Sequence, residues 1–438
     1  MHAADASRLK VSQSCWRAGA PHIRALAECV GACAAHTALI LTALSAFLLA
    51  AAPAQAKAPK ETVLYSFCPA EPNCTAGGGL ESPLTMDAAG NFYGTTSFGG
   101  IYGGLGGTVF ELSPNGSGGW NETNLYNFCS LPNCADGEGP GYSGVIFDSK
   151  GNLYGTAGGG AYGYGVVFEL SPVGGNWTET VLYNFAGGAG AGSPVSGLIM
   201  DAAGNLYGTT YDSDNNYGAV FELSPSGGGW TEQVIYETYT DAAGLTMDAA
   251  GNIFGIGGST RGHSSVFELS PNGNGGWNPT VIHTFAQTNM DPQGTLALDP
   301  AGSLYGTTLY GGAKNAGTVY KLTPAKQRKW TFKILHSFDA QDPKDGNDPW
   351  GGVVLDAAGN IYGTTAFGGD HKTSQGTIFE LVAPVGKSRY KEQVIASFNG
   401  KNGLFPIASL IRDSAGNFYG TTYMGGAYDN GIVFAVTP

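Results

Sequence analysis

The chain is 438 residues long and carries 21 Lys+Arg against 34 Asp+Glu, a formal charge of −13 at pH 7. A chain this acidic lacks the basic footprint that nucleic acid and anionic lipid surfaces require, which sets both aside as partners. Its 71 glycines and 22 prolines would suggest disorder if scattered, but they recur at fixed places in a repeat and act as punctuation.

Residues 1–56 have the layout of an export signal. Arg8, Lys10, Arg17 and Arg24 form a long positive n-region, TALILTALSAFLLAAA is apolar, and Ala54-Gln55-Ala56 gives an A-x-A cleavage site before Lys57. A membrane anchor is the rival reading. The apolar core is short for a span and the cleavage site follows at once, so a cleaved, soluble, exported protein is expected, periplasmic or extracellular. Without this segment, 17 Lys+Arg stand against 32 Asp+Glu. Four cysteines then remain in two close pairs, Cys68/Cys74 in CPAEPNC and Cys129/Cys134 in CSLPNC. No histidine stands near either pair, so two local disulfides in an oxidising compartment are favoured over metal ligation.

The segment 57–438 opens with ETVLYSF (61–67), a strand-like piece with no unit before it. A decapeptide of the form DAAGNLYGTT follows at Asp87, Asp148, Asp201, Asp248, Asp299, Asp356 and Asp413, at steps of 61, 53, 47, 51, 57 and 57 residues. In the third unit SGLIMD and NLYGTT flank the turn DAAGN, then come GAVFELSP and, after a Gly-rich turn, WTEQVIYET. All four are short, rich in β-branched and aromatic residues, and bounded by Gly, Pro, Asn or Ser. No helical period is sustained outside the signal. Four antiparallel strands at this period make a propeller blade, whereas the turns of a parallel β-helix are far shorter. The seventh unit ends after its third strand, GIVFAVTP, so ETVLYSF is expected to complete it. An all-β, seven-bladed, closed propeller is the expected fold.

Units of the form VLYxF…GxLxxDxxGNxYGTTxxGG…GTVFELSP…W resemble the tandem repeat of the choice-of-anchor GloVer-containing proteins, over essentially residues 60–438. The resemblance implies an exported protein and a repeat fold, and it carries no activity with it. Members of that family often end in a C-terminal anchor; this sequence ends inside the last blade.

Features present in every unit are expected to serve the scaffold. The Asp of DxxGN can accept hydrogen bonds from turn backbone, with an acidic ring at the axis as the rival reading. Trp120, Trp177, Trp230, Trp277 and Trp330, with Tyr390 in the sixth unit, are expected to pack between blades. The loops after VLYxF and after YGTT share the other face and vary, and loops on a rigid scaffold are the usual place for binding. They carry Phe98, Tyr102, Tyr162, Tyr164, Tyr211, Tyr217, Tyr310, Phe367, Tyr423 and Tyr428, beside both cysteine pairs. Exposed aromatics among Gly and Asp suit a glycan or a protein surface; the alternative is that they fold down over the rim.

Two acidic loops are weak calcium candidates: Asp212 and Asp214 in DSDNNYG, which lacks the Gly and Glu of a calcium loop, and Asp342 and Asp345 in DAQDPKDGNDP. A solvated acidic loop is the plain reading of both, and no cofactor is expected. His283 and His336 replace the Tyr of VLYxF and read as strand residues. His263 in STRGHSS and His371 in GGDHKTS fall on the variable face, the former in the most divergent unit. No spacing supports a triad, so no catalytic residue is assigned. The expectation is a monomeric binding module for glycans or surface proteins, with a secreted carbohydrate-active enzyme or lyase as the alternative.

Overall fold

The computed structural model describes residues 59–437, apart from 70–73, 143, 189–191, 213–216, 239–242, 261–262, 286–289, 343, 370–373 and 387. The expected signal segment therefore lies outside the described residues. Seven four-stranded antiparallel sheets follow one another along the chain, each a blade of one propeller. We label the strands of a blade A to D from the axis outward. In the third blade they are Ile199–Met200, Leu206–Asp212, Tyr217–Ser226 and Gly229–Thr238. No helix among the described residues is long and apolar enough to cross a membrane.

Lys60–Ser66 pairs antiparallel with Ile432–Thr437 and forms strand D of the seventh blade. The ring thus closes as one strand plus three, and the outer edge of Ile432–Thr437 is not left unpaired. The joint uses the bond found between other blades. Thr421 Oγ1 donates to Ser82 O of the first blade at 3.1 Å, as Thr364 does to Ala408 O at 3.0 Å and Thr307 to Gly351 O at 3.0 Å.

Each letter of the decapeptide has a physical task. Asp201 Oδ1 accepts from the backbone N–H of Ala203 and Asn205, both at 2.9 Å, while Oδ2 accepts from Asn205 Nδ2 at 2.8 Å and the Tyr207 hydroxyl at 3.1 Å. Gly204, at φ +86°, supplies the left-handed residue that closes the turn. Gly208 lies under the Phe221 ring, where a Cβ would stand 2.6 Å from Cζ. Thr209 is buried and donates to Ser196 Oγ at 2.7 Å. The Asp residues are therefore turn residues, not an acidic ring at the axis.

The fifth blade departs from the pattern and compensates. Ser303 replaces Asn and offers only its backbone N–H to Asp299, at 2.8 Å, while Lys321, standing where five other blades have Glu and the seventh has Ala435, reaches Asp299 Oδ2 at 3.4 Å.

Strand D is irregular in every blade. In the third, Val220 pairs with Tyr236 but Phe221 with Val234, which leaves Ile235 as a bulge. The bulge explains the three consecutive apolar residues of VLY, because the extra residue turns into the gap between blades instead of out to solvent. The cores lie in those gaps: Tyr154 and Val167 of the second blade pack with Leu206, Phe221 and Leu223 of the third. Trp277 closes such a gap by standing edge-on to Tyr207 at 5.7 Å and donating from Nε1 to Glu222 Oε2 at 3.1 Å. A cavity of about 360 Å³ beside it is lined by these same repeating residues and belongs to the scaffold.

Candidate functional site

The A–B and C–D turns share one end of the ring, and the B–C and D–A loops share the other. Each D–A loop runs inward to reach the A strand of the next blade. Three residues before the first buried Leu or Val of that strand it places one side chain at the axis. In chain order the described ones are Glu81, Tyr142, Val195, Gln293, Trp350 and Ile407; the corresponding position of the fourth unit, 242, lies outside the described residues. The six described ones line a single axial cavity of about 420 Å³, whose other walls combine small residues such as Ser196, Gly244 and Ala408 with apolar ones such as Val145, Leu198 and Leu245. A ring built from near-identical units is therefore chemically uneven at this level, with one acid, one amide, two aromatics and two aliphatics.

Local sequence holds these side chains in place. Gly351 follows Trp350 because the seventh blade's backbone is too close for a side chain: a Cβ there would lie 2.7 Å from Ala408 O. A Cβ on Gly141 would collide with Ser97, so the backbone before Tyr142 presses against the start of the first blade's B–C loop. Ser97 Oγ donates to Glu81 Oε1 at 2.9 Å, and the Tyr142 hydroxyl donates to the same carboxylate. Burial pushes the Glu81 carboxyl above its usual range, against the opposing effect of those two hydroxyls. The nearby Glu81 charge, then burial, raise the Tyr142 phenol. Tyr142 is nonetheless 66% exposed and Trp350 43% exposed, so both present ring surface to solvent.

The ten aromatic residues expected on this face divide evenly. Tyr102, Tyr162, Tyr164, Tyr310 and Tyr428 are exposed, while Phe98, Tyr211, Tyr217, Phe367 and Tyr423 are half-buried. Phe98 lies over the backbone of Gly78 and Gly79, and Phe367 packs edge-on to Phe405 at 5.1 Å. None of the ten lines the axial cavity. Tyr102, Tyr162 and Tyr428 occupy equivalent B–C loop positions in the first, second and seventh blades. Their loops are tied outward to the last residue of strand D: Ile101 N to Asn127 Oδ1 at 3.0 Å, Ala161 N to Asn184 Oδ1 at 2.8 Å, Ala427 N to Ser66 Oγ at 3.4 Å. They form an outer arc, apart from the axis. Tyr423 stands close enough to Tyr142 to affect its ionisation and so approaches the rim.

Sequence reasoning missed Glu81, Tyr142, Gln293 and Trp350. The signal was present: aligned on the A-strand Leu or Val, the units differ widely in chemistry at that column.

Both cysteine pairs are disulfides, Cys68–Cys74 and Cys129–Cys134. The one metal-type cluster among the described residues, Cys129, Cys134 and Glu138, has both sulfurs in a disulfide and so offers no thiolate. Of the calcium candidates, Asp345 is buried and receives Asp339 N at 3.0 Å and Gly346 N at 2.7 Å, with His336 Nε2 at 3.3 Å. Asp342 is exposed and accepts from Lys344 N at 2.9 Å. Asp212 ends a B strand opposite Tyr217, and Asp214 lies outside the described residues. His263 opens strand C directly opposite Thr260, because the fourth blade's B–C loop is short. His283 is stacked on Phe332 at 4.2 Å, and His371 lies outside the described residues.

Fold and site together define a closed, disulfide-bearing repeat propeller with one chemically distinct axial mouth. The chain belongs to the family of the Gloeobacter/Verrucomicrobia repeat, whose model matches residues 55–256 and 242–438. No curated protein matches it. Among solved structures it is similar to the PQQ-bound aldose sugar dehydrogenase of Streptomyces coelicolor, at 13% identity over 74% of this chain and 97% of that one, TM-score 0.41. A protein from Lactobacillus plantarum is 12% identical over 76% and 88%, TM-score 0.49. The α-L-arabinanase of Penicillium chrysogenum, complexed with arabinobiose, is 13% identical over 67% and 91%, TM-score 0.42. At such identities no site residue carries across. The disulfides fit a protein of an oxidising compartment.

Proposed function

We propose that the protein is an exported binding module that holds a saccharide at its axial mouth. The observation that carries this reading is the rim itself, where Glu81, Tyr142, Gln293 and Trp350 break the symmetry of the repeat around a cavity of about 420 Å³. That volume falls within the range of small-molecule sites, about 300–1,000 Å³, in which a few placed polar groups orient a ligand against apolar walls. Exposed Trp and Tyr rings suit the apolar face of a sugar, and an acid and an amide suit its hydroxyls. Glycoside hydrolysis by a carboxylate pair would need a second acid, and Glu81 is the one carboxylate among the described residues lining the cavity. Binding is therefore favoured over turnover.

The test is a broad glycan array probed with the purified protein, with and without calcium, reading both retained protein and released sugar. Retention without release is expected. Release would replace the binding module with a carbohydrate-active enzyme, and silence on every spot would overturn the saccharide reading in favour of a protein partner. Export is tested separately by N-terminal sequencing of the protein from its native source, where Lys57 is the expected first residue.

A further inference from the structure

Glu81 is unusual in its company. Two hydroxyls satisfy part of its hydrogen-bonding capacity, but hydroxyls do not cancel its charge. No Lys, Arg or His is among the described residues lining the cavity. The ion pairs among the described residues, Lys314–Asp339, Lys321–Asp299 and His336–Asp345, all lie elsewhere. A half-buried carboxylate left this way either holds a proton or pairs with a positive charge from outside, and Glu81 lines an open cavity that such a charge can enter. The other rim residues fit the same occupant, since exposed Tyr142 and Trp350 offer π surface, which attracts an ammonium most strongly when it is partly desolvated. The net charge of −13 favours cations near the mouth and disfavours acidic sugars.

Building on the saccharide reading of the axial mouth, we propose that its ligand is an amino sugar with a free, protonated amine, paired with the Glu81 carboxylate and flanked by Tyr142 and Trp350. Gln293 is left to hydrogen-bond a ring hydroxyl. N-acetylation would remove the charge and enlarge the group, so the site should distinguish a glucosamine unit from its acetylated form.

Calorimetric titration of the whole protein with three disaccharides tests this: the β-1,4 dimer of glucosamine, its N,N′-diacetyl form, and cellobiose. At a pH where the amine is protonated, the glucosamine dimer should bind about tenfold or more tighter than the other two. That margin should shrink as salt is raised. Glu81→Gln, which keeps both hydroxyl contacts, should cut the margin to about twofold or less with an unchanged melting temperature, and Trp350→Ala should weaken the amine-bearing dimer about tenfold. Equal binding of all three, or a preference for the acetylated or neutral dimer, would overturn the amine and leave the saccharide reading intact. The same holds if all three are silent while the array retains protein on other glycans. Silence in both experiments removes both readings.

Discussion

The two ends of the ring obey different rules. At the turn end, Asp87, Asp148, Asp201, Asp356 and Asp413 each accept the same hydrogen bonds from the same four-residue turn. The one blade that lacks the Asn recruits Lys321 in its place. At the loop end, equivalent positions hold Glu, Tyr, Val, Gln, Trp and Ile. The difference follows from closure. Each blade must fit two neighbours, so a change in a shared gap has to be absorbed across it, whereas a rim side chain borders the open cavity and has fewer scaffold partners to satisfy. Repetition marks what closes the ring, and departure from repetition marks what is free to bind.

The largest effect should come from breaking the repeated part. Phe379 is fully buried on strand C, and Gly363 lies beneath it, where a Cβ would stand 2.6 Å from Cζ and 2.9 Å from Cε1. Phe379→Ala should cost about 3–5 kcal/mol in urea unfolding. Gly363→Ala should cost about 1–3 kcal/mol through overpacking. Combined with Phe379→Leu, the Gly363→Ala penalty should be smaller than the sum of the singles, since the shorter side chain makes room. A neutral Gly363→Ala would show that the glycine of YGTT is not there for the ring. Neither variant should change saccharide affinity.

That contrast also explains what could be read in advance. Seven blades, four strands each, the ring closure and the turn role of Asp were legible because each repeats, and repetition cancels accidental residues. The half-burial of Phe98 and Phe367 was not, because it depends on where Gly78, Gly79 and Phe405 of other segments come to rest. Glu81, Tyr142, Gln293 and Trp350 were hidden differently. Glu81, Tyr142 and Trp350 sit in loops of unequal length next to two-residue A strands, while Gln293 sits inside the longer A strand Pro292–Leu298, so their equivalence appears only once the D–A connections are anchored at the axis.

A middle-sized effect concerns pH and separates inner from outer strands. Glu122, Glu179 and Glu392 occupy one position on strand D, where burial pushes each carboxyl up to about 7. Each has an unpartnered buried oxygen. Around them stand Tyr65 near Glu122; Asp136 and Tyr126 near Glu179; and Asp345, His336 and Asp342 near Glu392. Unfolded glutamate titrates near about 4.3, so the folded state holds extra protons between there and about 7. Their stabilising contribution is complete below the unfolded value and is lost as pH rises through about 7. The turn residues Asp148 and Asp413 act oppositely: burial pushes their carboxyls up, but the turn's hydrogen bonds outweigh it and hold them below the usual range. Their contribution is present above the unfolded value and is lost as pH falls through the folded one. The melting temperature should therefore pass through a maximum under mildly acidic conditions and decline towards pH 8. Gln at all three Glu positions should flatten that decline and leave the acid limb unchanged. An unaltered alkaline slope in the triple variant would place its origin elsewhere.

The smallest effects belong to the outer arc, where the two ends of the ring differ most in what a substitution can do. Tyr102, Tyr162 and Tyr428 are exposed, and their loops are held through backbone N–H groups donating to strand D side chains, not through the phenol rings. Replacing any one by Ser should move stability by no more than about 0.5 kcal/mol. Their distance from the axial mouth sets the binding expectation: affinity for a disaccharide should be unchanged in all three single variants, in contrast to Trp350→Ala. A long polymer that enters the mouth and crosses the first, second or seventh blade would touch the arc as well, and each added contact would raise its apparent affinity without any change at the axis. The triple variant should then lose retention on polymeric glycan while keeping disaccharide affinity, measured side by side on the array and in the calorimeter. A loss of disaccharide binding in the triple variant would mean that the arc and the mouth are one site, and that the separation drawn from the loop anchors at Asn127, Asn184 and Ser66 is wrong.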